Sequence, residues 1–437
     1  MARLSLRSLS IGAAAILWGL AAWHAWVARG LYLDGAAVLV TMLKNGGFAL
    51  FYQSRLYMMA ATQAPAAAAI GLGVTDTRVI AQLYSAGLFL VPTAFYHAAL
   101  WRARGDAALL VAVLVAIGVV FLPTGFFIVG ESNAIGAAVI FCAVVLATAQ
   151  RPVLGDGLML AATATLLIRS YETVSCFGLL LAAFTVWRLK RAGGNSAGAA
   201  AYVLAVLLFL VASAVSIYSL FDPTNPAPLG DALNRALQFW RNLQFILPLV
   251  ALLIVVAVGR SGERPAVVVS AALLLLLAIS PLLLLVDIGV GPLPRTHYHS
   301  RTVAGLVIAA LAIAIWRHAA RPGWTPKPVH MTLAVAALLA ALPSDIVLTE
   351  IWRHSLIEFR TIISTRSGLI AAEDTDFLRK PYSEMVEPWA LPSQSVILRR
   401  EPTDGIILPP KGYTGWQPFD PTKILPAPFA RFRYGGD

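Results

Sequence analysis

The chain has 437 residues, of which 59% are hydrophobic and only 13% are charged, and its mean hydropathy is +0.76. A soluble domain is usually about half apolar and about a quarter charged, so this chain cannot cover its surface with polar groups in water. The composition excludes a set of soluble domains and predicts an all-α polytopic membrane protein.

The net charge of +11 arises in the membrane part of the chain. Residues 344–437 hold 11 basic and 12 acidic residues, so the whole basic excess lies in residues 1–343. The basic residues there fall in alternate short loops, which the positive-inside rule explains better than a nucleic-acid partner does. We therefore expect a cytoplasmic N-terminus and no binding of nucleic acid.

Eleven apolar stretches are predicted to span the membrane, which takes about 17–25 residues, or somewhat fewer where the ends are buried in protein. Arg3 and Arg7 before the first stretch also fit a cleaved signal peptide, but the length of that stretch and its tryptophans favour an anchored helix. We therefore predict a multi-pass protein of a bacterial-type inner membrane. In chain order the predicted spans are 10–28, 80–100, 107–128, 133–149, 154–169, 173–187, 198–219, 243–259, 265–286, 302–316 and 329–347.

Two long segments should lie outside the membrane. Residues 29–79 form a first external loop with two apolar stretches, 36–43 and 48–59, each too short to span, which predicts helices lying in the membrane interface. Residues 348–437 follow the transmembrane domain, 1–347, as a periplasmic C-terminal region. That region is rich in proline and aromatic residues and has a strand-like SVILRRE at 395–401, which predicts a small mixed domain.

Charged residues at the external ends of spans are the candidates for chemistry, because ionisable groups at membrane depth are costly and indicate function. Several such positions are far apart in sequence but fall on one side of the predicted topology. Their convergence predicts a site on the external face. They are Asp34, Glu131, Arg169 with Glu172, Asp222, and Arg295, His297, His299 and Arg301.

Asp34 and Glu131 are the candidate catalytic acids. Asp34 lies just past the first span in GLYLDGAAV, where Asp-Gly before an apolar stretch is typical of a helix N-cap, with a glycine at 46 or 47 ending the helix. A carboxylate in that position can also act as a general base. Glu131 lies in the tight turn of IVGESNAIGAAVIF, where the adjacent serine or asparagine could cap the next helix. A contact with lipid headgroups is the alternative for Glu131.

Two further groups are candidates for holding substrates. Arg169 and Glu172 flank another external turn, where positioning of an acceptor competes with a local salt bridge of little energetic value. The stretch PRTHYHSRT, 294–302, suits a phosphate, because guanidinium groups bind phosphate bidentately and imidazoles add donors. A cationic loop that touches lipid headgroups is the alternative. The candidate phosphate-binding residues are Arg295, His297, His299 and Arg301.

This layout resembles the GT-C superfamily of membrane glycosyltransferases, which use polyprenyl-phosphate-linked sugars. The shared features are a cytoplasmic N-terminus, a long first external loop with an acid near its start, a tight second external turn with another acid, and a soluble region after the last span. Asp34 falls at the first-loop position, and GESNAIGAAVIF, 130–141, is similar to the second-loop motif of oligosaccharyltransferase catalytic subunits.

The resemblance implies an inverting transfer of a sugar from a polyprenyl-phosphate donor to an acceptor on the external face. Family members often carry paired acids in the first loop, whereas Asp34 stands alone before Gly35. That difference argues against a divalent metal without excluding it, and no other cofactor is predicted. The C-terminal region has no WWD-type motif, which argues against a peptide acceptor.

Two other classes of protein stay open. A transporter or flippase-like carrier of a lipid-linked or anionic solute would have charges at mid-membrane depth and inverted repeats, and no repeat is visible in the sequence. A non-catalytic subunit of an envelope complex would have kept the fold and lost the chemistry, and it would co-purify with a partner protein. The chain has no Walker A loop and no HExxH motif, so it resembles neither an ATP-driven pump nor a zinc protease.

Overall fold

The structure is a computed structural model, and it describes residues 5–51, 53–125, 130–192, 196–221, 297–321, 323, 325–379, 387–413, 429 and 431–435. The predicted spans 243–259 and 265–286 and the candidates Asp222 and Arg295 lie outside the described residues. For His297, His299 and Arg301, the description covers the backbone alone.

The described part of the chain is mostly helical. Two short strands, β1 (Leu369–Ile370) and β2 (Ile406–Ile407), pair in parallel. Single 3-10 turns occur at Arg29–Leu31, Gln53–Arg55, Ala372–Asp374, Asp376–Leu378 and Pro388–Ala390. The helices are α1 (Leu6–Trp26), α2 (Asp34–Asn45), α3 (Leu56–Gly71), α4 (Thr77–Ala103), α5 (Ala107–Thr124), α6 (Glu131–Thr148), α7 (Leu154–Leu167), α8 (Val174–Ala192), α9 (Ser196–Phe221), α10 (His297–Ala320), α11 (Pro328–Thr365) and α12 (Leu391–Leu398).

Six of the described helices, α1, α4, α5, α6, α9 and α11, are long and apolar enough to cross a membrane. The helices α7, α8 and α10 also coincide with predicted spans. The prediction of an all-α membrane protein is confirmed at this level. The number of eleven spans and the orientation of the chain stay predictions.

Capping side chains set the start of several spans. The Ser5 hydroxyl, the Asp76 carboxylate and the Asp106 carboxylate each accept a hydrogen bond from a backbone N–H two or three residues further along. These donors have no partner within their own helix, so each cap satisfies groups that would otherwise be left unpaired. Polar side chains in the short connections therefore define the helix ends between apolar runs.

Two apolar cores are stacked along the bundle. The first fills the space between α1 and the helices α4 to α11, and it includes twelve of the eighteen residues of α6. The second joins α2, α3 and the first half of α4 to the second half of α11 and the C-terminal region, with Trp352, Phe359 and Phe377 among its buried residues. The first external loop and the C-terminal region thus share one core.

The second apolar stretch of the first loop does not form the helix predicted over 48–59. Residues 48–51 are not helical, and α3 begins only at Leu56 and continues to Gly71. The buried Gln63 side chain accepts from Ala49 N at 2.8 Å and donates to Ala49 O at 3.1 Å. This side chain takes the place of backbone partners for Ala49, so the segment does not need a helix to satisfy its hydrogen bonds.

The C-terminal region departs from its prediction at two places. The strand predicted for 395–401 is wrong, because residues 391–398 form the buried helix α12, and an apolar run buried on all sides does not distinguish strand from helix. The predicted last span, 329–347, is only the first half of α11, so the predicted boundary at 347/348 falls inside a helix. The division into domains itself stays a prediction.

Candidate functional site

Asp34 is the first residue of α2 rather than its cap. The preceding Leu33 occupies the cap position with φ 52° and ψ −125°, and the Asp34 side chain is exposed. The helix ends at Gly46, whose φ of 70° is the left-handed conformation that glycine favours. The predicted N-cap is therefore wrong, and the carboxylate is left at the positive end of the helix dipole.

The turn that leads to Asp34 has an unusual backbone. Ala28 and Leu33, with φ of 49° and 52°, flank the 3-10 turn Arg29–Leu31 and are the two non-glycine residues with positive φ among those described. Each such residue costs roughly 1–3 kcal/mol and persists only where the surroundings hold it. Gly30 N donates to the Ser85 hydroxyl at 2.9 Å, which is one such restraint.

A buried ionic network supplies the main restraint on this turn. Arg29 is fully buried, and its Nη1 donates to Asp345 Oδ1 at 2.8 Å and to the Thr349 hydroxyl at 3.0 Å. His24 Nε2 lies 2.8 Å from the other oxygen of Asp345. The network connects the end of α1 and the 3-10 turn to α11. Breaking such a pair leaves a buried charge uncompensated, which makes it a strong clamp.

Glu131 is the first residue of α6 and is half-buried. The cap position is Gly130, with φ 144°, and no side chain caps the helix there, so neither of the two residues after Glu131 acts as the cap. That φ is accessible to glycine and strained for other residues. As with Asp34, a carboxylate lies at the positive end of a helix.

Arg55 connects the first external loop to the turn between α7 and α8. Its Nη2 lies 3.3 Å from Glu172 Oε1, and its guanidinium carbon lies 4.3 Å from the centre of the Tyr171 ring. Two residues further on, Tyr57 N donates to the carbonyl oxygen of Arg169 at 2.9 Å. Glu172 thus has an ion-pair partner from a distant segment, which the sequence pattern did not predict.

The electrostatics of Arg55 show which acids surround it. Burial by itself lowers the pKa of this guanidinium, but Tyr171, Glu172, Glu131 and Asp34 outweigh burial and raise the pKa. Asp34 and Glu131 also interact electrostatically with the buried hydroxyl of Tyr84 on α4. Asp34, Glu131 and Glu172 thus all contribute to the electrostatic environment of Arg55, and Glu172 contacts it directly at 3.3 Å. We call Asp34, Arg55, Glu131 and Glu172 the acidic cluster.

A cavity opens beside the acidic cluster between α4, α5, α6, α8 and α10. The enclosed space is about 30 Å³, and the volume reaches about 440 Å³ only when the gaps between lining atoms and the solvent at the open mouth are counted. Polar lining residues include Ser132, Asn133 and Tyr171, which adjoin Glu131 and Glu172 in sequence. Other lining residues, such as Phe121 and Ile308, are apolar. The lining thus combines polar residues next to Glu131 and Glu172 with apolar residues of α5 and α10.

The phosphate-binding candidates are described only through the helix that carries them. α10 begins at His297, and its Ala304 and Gly305 line the cavity. At 1.5 Å per residue, the start of α10 lies roughly 10 Å along the helix axis from Ala304. His297, His299 and Arg301 therefore belong to the first turns of a cavity-lining helix.

No metal site is evident in the described part of the chain, where no group of three or more His, Cys, Asp or Glu residues is arranged to hold an ion. The positive charge among the three acids is the guanidinium of Arg55. Whether the protein binds a divalent metal thus stays as open as it was from the sequence.

Sequence reasoning missed Arg55, Tyr84 and the Arg29–Asp345 pair. Arg55 stands as one charge in the apolar stretch FALFYQSRLYMM, and Asp345 is an acid in a predicted span, so both carried a signal. Tyr84 carried no such signal, because an aromatic residue in a predicted span is usually a core residue.

No protein-family model, curated protein or solved structure matches the chain. The candidate site is therefore argued from its own geometry.

Proposed function

We propose that the protein is an inverting glycosyltransferase that moves a sugar from a polyprenyl-phosphate donor to an acceptor on the external face of the membrane. The observation that carries this proposal is the acidic cluster beside an apolar cavity, with Arg55 acting on Asp34, Glu131 and Glu172 at once. Sugar transfer from a lipid-linked donor needs both features: acids for proton transfer and an apolar space for the lipid.

Asp34 is the general base in this proposal. Its exposed carboxylate takes the proton of the acceptor hydroxyl as that oxygen attacks the anomeric carbon. The bond from the anomeric carbon to the phosphate oxygen breaks on the opposite side, and polyprenyl phosphate leaves with the electron pair. The configuration at the anomeric carbon is inverted in this single displacement.

The donor phosphate is assigned to Arg295, His297, His299 and Arg301. The backbone N–H groups at a helix start attract anions, and α10 starts at His297. Guanidinium and imidazole groups would stabilise the charge that develops on the departing phosphate. The donor phosphate needs a cation outside the acidic cluster, because Arg55 is already paired with Glu172.

Glu131, Glu172 and Arg169 are assigned to positioning of the acceptor. Sugar hydroxyls are recognised by carboxylates, and Glu131 and Glu172 both lie within the electrostatic reach of Arg55. Arg55 offsets part of their negative charge, so that an anionic donor can approach them. Asp34 is left as the acid of the cluster with the greatest exposure.

The cavity is assigned to the first isoprene units of the donor. Gly305 lines it, and a Cβ added there meets no atom within 4 Å. A Gly305→Leu variant should therefore fill the cavity without disturbing the helix packing. Turnover of long-chain donors should fall more than turnover of donors with a very short lipid, and equal losses would contradict this assignment.

The decisive experiment uses purified protein and a panel of polyprenyl-phosphate sugars, with release of polyprenyl phosphate as the readout. Wild type should turn over at least one donor, and Asp34→Asn should abolish turnover without loss of folding. Asp376→Asn is the matched control, because Asp376 is an exposed acid that pairs with the exposed Arg379. Binding of donors by wild type without turnover would reject the enzyme and favour a carrier or a silent subunit.

A further inference from the structure

A second polar cluster lies at the end of the bundle opposite the acidic cluster. Arg102 at the end of α4 places its Nη2 against Asp156 Oδ2, at 2.6 Å, near the start of α7. Tyr202 on α9 interacts electrostatically with Asp156, Arg102 and Arg188 of α8. The 14 residues of α7 separate this end from the turn at 169–172 by roughly 20 Å. The proposed transfer reaction does not use these residues.

Three hydrogen-bond donors in this cluster lack an acceptor. The Tyr202 hydroxyl, Arg102 Nε and Arg188 Nε are buried and have no hydrogen-bond partner among the described residues. Tyr202 is fully buried between helices, where a Cβ on Gly157 would lie 3.0 Å from its ring. Buried donors in native proteins are nearly always paired, so three unpaired donors in one cluster indicate an acceptor that the chain itself does not supply.

The charge balance shows what kind of acceptor is missing. Two guanidinium groups, those of Arg102 and Arg188, and one carboxylate, that of Asp156, surround the Tyr202 hydroxyl electrostatically, and Asp156 is paired with Arg102. The uncompensated positive charge favours an anion over a neutral ligand. Phosphate oxygens fit these donors, because guanidinium groups bind phosphate in a bidentate fork and a phenol adds a further donor.

The surface beside the cluster indicates that the phosphate belongs to a lipid. Val153 and Met159, which lie three residues before and three residues after Asp156, are 56% and 40% exposed, so apolar side chains border the polar cluster where α7 meets the surface. A phospholipid presents the same sequence of groups, a phosphate followed by acyl chains. We propose that Arg102, Arg188 and Tyr202 bind the phosphate of an anionic phospholipid whose acyl chains lie along the exposed apolar faces of α7 and α9.

The test uses the full-length protein in detergent micelles and native mass spectrometry, with phosphatidylglycerol, phosphatidylcholine and inorganic phosphate as probes. Wild type should bind phosphatidylglycerol in preference to phosphatidylcholine. Arg188→Gln should weaken phosphatidylglycerol binding by roughly tenfold or more, and Tyr202→Phe, which removes only the hydroxyl, by roughly threefold. Arg151→Gln removes the same charge from an exposed residue of the connection before α7 and should change binding by less than about twofold.

Several results would overturn the proposal. Equal weakening by Arg151→Gln and Arg188→Gln would show a general attraction between basic residues and lipid rather than a site. Equal binding of the two lipids would remove the anionic preference. Competition by inorganic phosphate at the same concentration as phosphatidylglycerol would reject the lipid as the occupant. If Arg188→Gln fails to fold, Tyr202→Phe decides alone, because it conserves the volume of the side chain.

Discussion

Arg55 and Glu172 form an ion pair at 3.3 Å across 117 residues of sequence, with each side chain about one-fifth exposed. The pair joins the first external loop to the turn between α7 and α8. It places the loop that carries Asp34 beside the turn that precedes α8, and Glu131 lies within the same electrostatic field. A single contact between two loops thus assembles most of the acidic cluster.

Replacing Arg55 should reduce the transfer reaction. Arg55→Gln leaves Glu172, Glu131 and Asp34 without their shared cation, and we expect a fall in turnover of roughly a hundredfold, the scale seen for loss of one well-placed donor. Arg55→Lys should be intermediate, because an ammonium keeps the charge but loses the fork. The readout is release of polyprenyl phosphate.

The matched control for this prediction is Arg78→Gln. Arg78 lies at the start of α4 and packs over the Trp26 ring, with 5.8 Å between its guanidinium carbon and the ring centre. Turnover by this variant should stay near the wild-type value. An Arg55→Gln protein that is folded and fully active would show that the cation is dispensable.

Replacing Asp345 should destabilise the protein strongly. Asp345→Asn removes the charge that compensates the fully buried Arg29, and loss of one partner of a buried pair costs about 3–5 kcal/mol. The melting temperature in detergent should fall by many degrees, whereas Asp376→Asn, at the exposed pair with Arg379, should change it little. Similar melting temperatures for the two variants would contradict a clamp by the buried network.

Gly35 should tolerate no side chain. A Cβ on Gly35 would collide with the carbonyl oxygen of Gly30, which is backbone and cannot rotate away. Gly35→Ala should therefore cost about 1–3 kcal/mol and shift Asp34, so that both the melting temperature and turnover fall. Gly47→Ala is the control, because a Cβ there meets no atom within 4 Å. If Gly35→Ala keeps wild-type turnover, the conformation of this turn is not required for catalysis.

Asp106 should make stability depend on acid pH. Burial raises the pKa of its carboxyl, but hydrogen bonds from His318 at 2.9 Å and from the N–H groups of Leu109 and Ala108 outweigh burial and lower the pKa below the usual 3.8. A lowered pKa in the folded state means that this stabilisation is complete above pH 3.8 and is lost as the pH falls through the folded-state value.

The variant Asp106→Asn isolates that charge, because asparagine is also a good N-cap. The difference in melting temperature between wild type and the variant should shrink as the solution is acidified from about pH 5 towards pH 3. If the difference in melting temperature does not change with pH, Asp106 stabilises the protein through its shape and not through its charge.

The sequence predicted well the long apolar helices that the structure describes, because hydropathy and helix length are local properties. Residues 36–43 form the core of α2, and Gly46 ends it as expected. The sequence failed at 48–59, where the Gln63 side chain supplies the hydrogen bonds of Ala49. It also failed at 395–401, because the helix there is buried on all sides and so lacks the periodicity that distinguishes a helix from a strand. In both places a tertiary contact overrode the local pattern.

For the candidate site, the sequence determined which charges lie at one end of the helices, since each acid is adjacent to a span boundary. It did not determine their partners. That Arg55 contacts Glu172, and that Arg29 contacts Asp345 across 316 residues, was decided by the packing of the first loop against α4, α7 and α11. An ionisable residue in an apolar stretch reveals locally that it requires a partner, because burial of a lone charge is costly. Only the tertiary structure decides which residue that partner is, because a charge is compensated through space and not along the chain.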